Sequence, residues 1–184
     1  MNSKYFLPAI ALLCILWACG NKKTKTSGDP YKDSLITVIT NYEKQTAPGK
    51  NNGSPENTSS DLLKSYMDFF HKYSNDSLAP AYLFKAAQLS IFMHYYMPAL
   101  DYLRLFQEMY PKHRLTDDAT FLTAFIYDNH MHDVEKAKKA YENFIAAYPN
   151  SPLVNDAKAS ISNLGLSDEE LIRKFEQQNG MVKK

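Results

Sequence analysis

Histidine is the one side chain whose ordinary titration falls near neutral pH, and one group of the five histidines has a spacing that chemistry could use. His130-Met131-His132, followed by Asp133, sets two imidazoles at i and i+2. In a loop such a pair can converge on one ion, whereas on a helix it diverges. The stretch falls between two predicted helices, where polar residues are expected anyway, and no Cys stands near to join it. His71, His94 and His113 are scattered and read as half-exposed or core-edge residues. The carboxylate pairs Asp117-Asp118 and Glu169-Glu170 open predicted helices, where negative charge complements the macrodipole without any acid–base role. No Gly-x-Ser-x-Gly elbow, Gly-rich phosphate cradle or His-Glu-x-x-His helix occurs. The expectation is no catalytic residue, no cofactor and no metal site, with function carried by binding; a His-based metal-binding envelope protein is kept as an alternative.

The two cysteines are too few for a disulfide scaffold, and both lie in the first twenty residues, MNSKYFLPAIALLCILWACG. Lys4 and the apolar run from Tyr5 to Ala18 have the build of a secretory signal peptide. Fourteen helical residues rise only about 21 Å, short of the roughly 30 Å hydrocarbon core, so a permanent span is not expected. The run ends in Leu16-Trp17-Ala18-Cys19, which resembles the lipobox of bacterial lipoproteins. The resemblance implies cleavage after Ala18 and acylation of Cys19, which becomes the first residue and the membrane attachment. One acyl chain anchors marginally and several anchor stably. Gly20, not Asp, follows Cys19; by the retention rule of some enteric bacteria this argues for the outer membrane.

The elements that must position any binding surface follow from composition and periodicity. The chain has 184 residues, with 21 Lys plus Arg against 20 Asp plus Glu. That balance gives no net field for nucleic acid, and the length suits one domain or a small array. Thirteen Tyr and ten Phe against six Gly indicate helix packing rich in aromatic contacts. Residues 1–18 are read as signal peptide, 19–29 as a lipidated tether without apolar residues, and 30–45 as an amphipathic helix opened by Asp29-Pro30. The polar, turn-forming stretch 46–60 reads as a flexible linker. Helical periodicity then fills 61–178, at about 61–73, 79–94, 97–110, 116–130, 134–148, 152–164 and 168–178, and 179–184 is a tail. Ser167 and Glu170 form a capping box before the last helix, and Gly165 supplies a left-handed stop.

An internal repeat organises this body. Ala99-x3-Leu103-x2-Phe106-x4-Pro111 recurs as Ala137-x3-Tyr141-x2-Phe144-x4-Pro149, each position displaced by 38 residues. Leu62, Tyr66, Phe69 and Tyr73 repeat the apolar spacing upstream without the Pro, and a further copy starts at Leu171 and Phe175. Periods of this size mean stacked helical hairpins, each too small to bury its own apolar face. The pattern resembles tetratricopeptide repeats over about residues 61–178, and that resemblance implies an all-α array of three to four antiparallel hairpins with a right-handed superhelix. The period exceeds the family's usual value of about 34, Phe106 and Phe144 stand where a small residue is common, and the Trp-Leu-Gly signature is absent. In the first helices Ala87 holds the small position in one copy, while Ala124 and Phe125 compete for it in the next.

With the lipid anchor, the chain is similar to small bacterial envelope lipoproteins of the BamD and YbgF (CpoB) type, through stretches such as Ala137-Lys138-Lys139-Ala140-Tyr141 and Ala147-Tyr148-Pro149-Asn150. The resemblance implies a scaffold for protein or peptide partners at the periplasmic face of the outer membrane, with outer-membrane protein assembly as one role and coordination of cell-wall synthesis or division as another. Phe84, Phe92, Phe121 and Phe125 are candidates for a partner groove, with plain core as the competing reading. Asp33-Ser34-Leu35 and Asp76-Ser77-Leu78 look like an Asp-Ser/Thr-apolar glycosylation triplet.

Overall fold

The computed structural model describes residues 28–46 and 55–178, and among them every regular element is a helix. In chain order these are α1 (Pro30–Gln45), α2 (Pro55–Lys72), α3 (Ala79–Phe92), α4 (Tyr96–Met109), α5 (Thr116–Asn129), α6 (Val134–Ala147), α7 (Val154–Asn163) and α8 (Asp168–Gln178). The described residues fall into two units, 28–34 and 35–178. In the first, Asp29 Oδ1 accepts the N–H groups of Tyr31 and Lys32 at 3.0 and 3.2 Å, so Asp29 caps α1 and Pro30 occupies the first position, where a missing N–H is harmless.

In the second unit consecutive helices pack on one another. α3 with α4 and α5 with α6 form the most extensive pairs, and α2–α3, α4–α5 and α6–α7 link them. The result is an all-α array of helical hairpins. The repeat positions are its core: Leu62, Tyr66 and Phe69 of α2, Ala99, Leu103 and Phe106 of α4, and Ala137, Tyr141 and Phe144 of α6 are all buried, the last six with no exposed surface. The repeat phenylalanines of α4 and α6 lock onto the first helix of their hairpins. Phe106 meets Phe84 at 5.7 Å between ring centroids, and Phe144 meets Phe121 at 5.5 Å.

The connection from each hairpin to the next is one structure used three times. In the first copy the amides of Tyr73, Asp76 and Ala79 donate to the carbonyls of Phe69, Tyr73 and Asp76; in the second, Tyr110, His113 and Thr116 donate to Phe106, Tyr110 and His113; in the third, Tyr148, Ser151 and Val154 donate to Phe144, Tyr148 and Ser151. Tyr110 and Tyr148 end α4 and α6 in non-helical backbone, φ −130° in both with ψ 52° and 60°. The following Pro111 and Pro149 require this, because proline pushes its predecessor out of helical geometry. Thr116 Oγ1 ties the second connection to the Tyr110 and His113 carbonyls at 2.8 and 2.7 Å, and the Tyr110 hydroxyl donates to the Ser74 carbonyl of the preceding connection at 2.6 Å.

The linker expected over 46–60 is too long at its C-terminal end. α2 begins at Pro55, and Ser59 is buried. Ser54-Pro55-Glu56 has the residue types of a helix start, and Pro fixes φ for the first turn, so Pro55 and five polar residues join the helix despite their weak propensity. Residues 47–54, the tail 179–184, Cys19 and the Leu16-Trp17-Ala18 lipobox lie outside the described residues.

Within the second unit, α1 is fastened at its C-terminal half. Ile39 is buried, and one oxygen of Glu43, Oε1, accepts both the Tyr66 hydroxyl at 2.8 Å and the Lys85 ammonium at 2.7 Å. Lys85 also lies over the Tyr66 and Tyr82 rings, at 6.0 and 5.8 Å. Burial, then the Glu43 charge, raises the titration of both phenols, that of Tyr82 to about 12. Both phenols are therefore neutral at physiological pH.

The other class of turn, within hairpins, uses left-handed backbone. His94, His132 and Gly165 have φ of 62°, 52° and 74°. Glycine adopts this region freely, whereas for other residues it costs roughly 1 kcal/mol. A Cβ at Gly165 would meet the Val134 methyls at 3.8 and 3.9 Å, an ordinary contact, so backbone strain alone sets the penalty. Gly165→Ala is expected to lower stability, and His132→Gly to raise it, by up to about 1 kcal/mol each. The midpoint of urea unfolding at unchanged slope is the measurement, and shifts of the same sign would contradict the assignment.

Candidate docking surface

A concavity of about 570 Å³ opens as a cleft between α4 and α5. Met97, Leu100, Asp101, Arg104, Gln107 and Glu108 line it from α4, Thr123 and Tyr127 from α5. The α4 residues recur at three and four positions, one stripe of a helix turned away from the Ala99–Leu103–Phe106 core. Arg104 lies between two carboxylates, 2.8 Å from Glu108 and 3.8 Å from Asp101. All three are exposed, so these pairs add little stability and remain available to exchange partners. Gln107 is shared between the Leu103 carbonyl and the Thr120 hydroxyl, fixing the wall where α4 meets α5.

Met97, in the first turn of α4, sets one end of the cleft near the α3–α4 turn, and exposed rim residues lie in sequence around that turn and the α5–α6 turn. Phe92 is 66% exposed and Met97 61%, and Tyr95, Met131 and Val134 are exposed beside them in sequence. Charges near this rim are largely paired internally: Asp133 caps α6 through the Lys136 amide at 3.0 Å and holds the Lys136 ammonium at 2.8 Å.

The four groove phenylalanines do not act together. Phe84 and Phe121 are buried, each packed on its hairpin's repeat phenylalanine, so neither can line a partner site. The plain-core reading holds for both. Phe125 is half-buried against the Phe121–Tyr141–Phe144 cluster and edge-on to His130 at 5.6 Å. Phe92 alone of the four is open to solvent. Ala124, not Phe125, takes the small first-helix position, fully buried as Ala87 is. Two signals were missed in sequence: the polar α4 stripe, which alternates charge signs like any solvated face, and the exposed turn residues, hidden inside a run that also supplies core.

No protein-family model and no curated protein matches the chain. The site therefore stands on geometry. Among the described residues no three His, Cys, Asp or Glu are grouped to hold a metal ion, and no helix is long and apolar enough to cross a membrane. Of the two Asp-Ser-Leu triplets, Ser34 is exposed in α1 and Ser77 is exposed in the α2–α3 turn, where Asp76 Oδ1 accepts the Leu78 amide at 2.8 Å.

His113 makes the α4–α5 connection sensitive to acid. Its Nδ1 accepts the Leu115 amide at 3.3 Å, and its ring lies edge-on to Phe106 at 5.5 Å. Burial, then the neighbouring Arg114 charge, holds the imidazole below its ordinary value of 6.5. A folded value below the unfolded one means that the unfolded chain takes up the proton first. The contribution is therefore whole above about pH 6.5 and is lost as the pH falls from there through the lower folded value. His113→Asn, which can still accept the Leu115 amide but does not titrate, is expected to reduce the fall in melting temperature between about pH 7.5 and 5.5. An undiminished fall would exclude His113 as its source.

Proposed function

We propose that the protein is a lipid-anchored scaffold of the bacterial envelope, held through Cys19 and docking a polypeptide partner in the α4–α5 cleft. The observation that carries this reading is the cleft itself: an open, mixed apolar and charged trough on an array whose other repeat positions are spent on packing. Met97, Leu100 and Tyr127 supply apolar contact, while Asp101, Arg104, Gln107 and Glu108 supply a polar rim, the division of labour expected where a few apolar anchors carry most of the binding energy. The periplasmic face of the outer membrane is the location that fits the Leu16–Cys19 lipobox followed by Gly20. Assembly of outer-membrane proteins is the role implied by the resemblance to repeat-containing envelope lipoproteins.

Fractionation of cells carrying Cys19→Ser tests the anchoring. The altered chain is expected to move from the membrane pellet to the soluble fraction, while the unaltered chain gains the mass of its acyl groups on the peptide that begins at Cys19. A Cys19→Ser chain that stayed with membranes would overturn this part of the proposal.

A further inference from the structure

Two hairpin turns are joined through a single ring. Tyr96, the first residue of α4, stacks on the His130 imidazole of the α5–α6 turn, with centroids 4.6 Å apart and planes 12° from parallel. The Tyr96 hydroxyl lies 2.7 Å from His94 Nδ1 in the α3–α4 turn. Phe125 of α5 closes on the His130 ring edge-on at 5.6 Å. His94 and His132 both hold left-handed backbone, a region that histidine, like asparagine and aspartate, enters more readily than other non-glycine residues.

We propose that Tyr96, bonded to His94 and stacked on His130, forms an acid-sensitive latch between the α3–α4 and α5–α6 turns, closed while the His130 imidazole is neutral and released when it takes up a proton. A lone imidazolium over a tyrosine face would be attracted to it; at His130, burial and the charges of His94 and His132 oppose the protonated form. The groups facing the cluster from the packed elements leave this repulsion poorly balanced. On α5, Asp128 acts on His132, but its carboxylate also accepts the Tyr141 hydroxyl of α6 at 3.2 Å. Asp133 is paired with Lys136 at 2.8 Å, and Lys136 lies over the Tyr127 ring at 5.6 Å. Burial first, then the charges of His94 and His132, hold His130 below its ordinary value, so proton uptake favours the released form. The His94–Tyr96 bond can be made with either group donating; the His130 stack is the contact that yields. Met97 and Tyr127 line the adjoining end of the α4–α5 cleft, so release would widen that end. This last consequence rests on the docking reading, and the latch itself does not.

Hydrogen exchange on the full chain, corrected for the intrinsic pH dependence of the rate, tests the latch without any partner. The Tyr95, Met131 and Asp133 amides, bonded to the carbonyls of Ser90, Ile126 and Tyr127, are expected to lose protection by roughly tenfold between about pH 7.5 and 5.5, while the Val154 amide changes little. His130→Phe keeps a ring on Tyr96 that cannot titrate, and is expected to retain protection at both pH values. Unchanged protection in the parent, or an equal acid loss in His130→Phe, would overturn the latch. If His130→Phe disturbs the turns even at the higher pH, the unaltered chain decides: Tyr96 ring resonances that move with the His130 titration support the latch, and resonances indifferent to it refute it. Failure of the latch leaves docking in the cleft intact, and failed docking leaves these exchange rates unaltered.

Discussion

Phe144→Ala is expected to lower the unfolding free energy by about 3–5 kcal/mol. Phe144 is fully buried and joins both helices of its hairpin, with Phe121 at 5.5 Å and Tyr148 at 5.9 Å. Its truncation removes apolar contact and leaves a cavity walled by Phe121, Tyr141 and Ala157 of the same cluster, which helices fixed by repeated connections cannot collapse to fill. In a repeat array each hairpin contacts only its neighbours, so the loss should appear first as a local opening of α5–α8 and only then as global unfolding. Urea unfolding followed by circular dichroism gives the magnitude, and hydrogen exchange along the chain gives the order. A loss under about 1 kcal/mol would mean that Phe144 does not bridge its hairpin.

Ala137→Leu is expected to destabilise by about 1–3 kcal/mol through overpacking. Ala137 lies in the first turn of α6, its amide bonded to the Asp133 carbonyl at 2.8 Å, and has no exposed surface. Three added carbons have nowhere to go unless α6 moves off the rest of its hairpin. Lys138→Leu, one residue on and exposed, is the control, with an expected change within about 0.5 kcal/mol. Equal effects at the two positions would contradict the burial of the small-residue face.

Much of the array was legible because its repeat writes packing directly into residue type. Ala99 and Ala137 are small where helices approach, Phe106 and Phe144 fill the next turn, and Pro111 and Pro149 end the helices. The single misaligned register has a local cause. First helices repeat at 37 residues, as Phe84 to Phe121 and Ala87 to Ala124, and second helices at 38, because the α5–α6 turn holds one residue more than the α3–α4 turn. The extra residue is visible in the bonding: the Tyr95 amide reaches back five residues to Ser90, and the Asp133 amide six to Tyr127. An insertion inside a turn leaves no periodic signal, which is why Ala124 and Phe125 could not be told apart in sequence.

The candidate docking surface was less legible. Phe84 and Phe121 were candidates for it because aromatic residues suit both cores and binding sites, and sequence spacing does not distinguish a core-facing stripe from a partner-facing one. The α4 face that does border the cleft, Met97, Leu100, Arg104 and Glu108, reads in sequence as an ordinary solvated stripe and gains meaning only when α5 is set beside it. His94 and His132 likewise carry no sequence mark of left-handed backbone, since histidine enters that region more readily than most residues but adopts helical and extended backbone far more often.

Crosslinking inside cells tests the central claim most directly. A photoreactive residue replacing Arg104, whose side chain is exposed and makes only surface ion pairs, is expected to capture a discrete polypeptide, and the adduct should disappear when Leu100→Asp or Tyr127→Asp makes the trough polar. The same group replacing Lys158 on α7, exposed and away from the cleft, is expected to capture none. Identical adducts from both positions, or an Arg104 adduct indifferent to the two cleft substitutions, would contradict docking between α4 and α5.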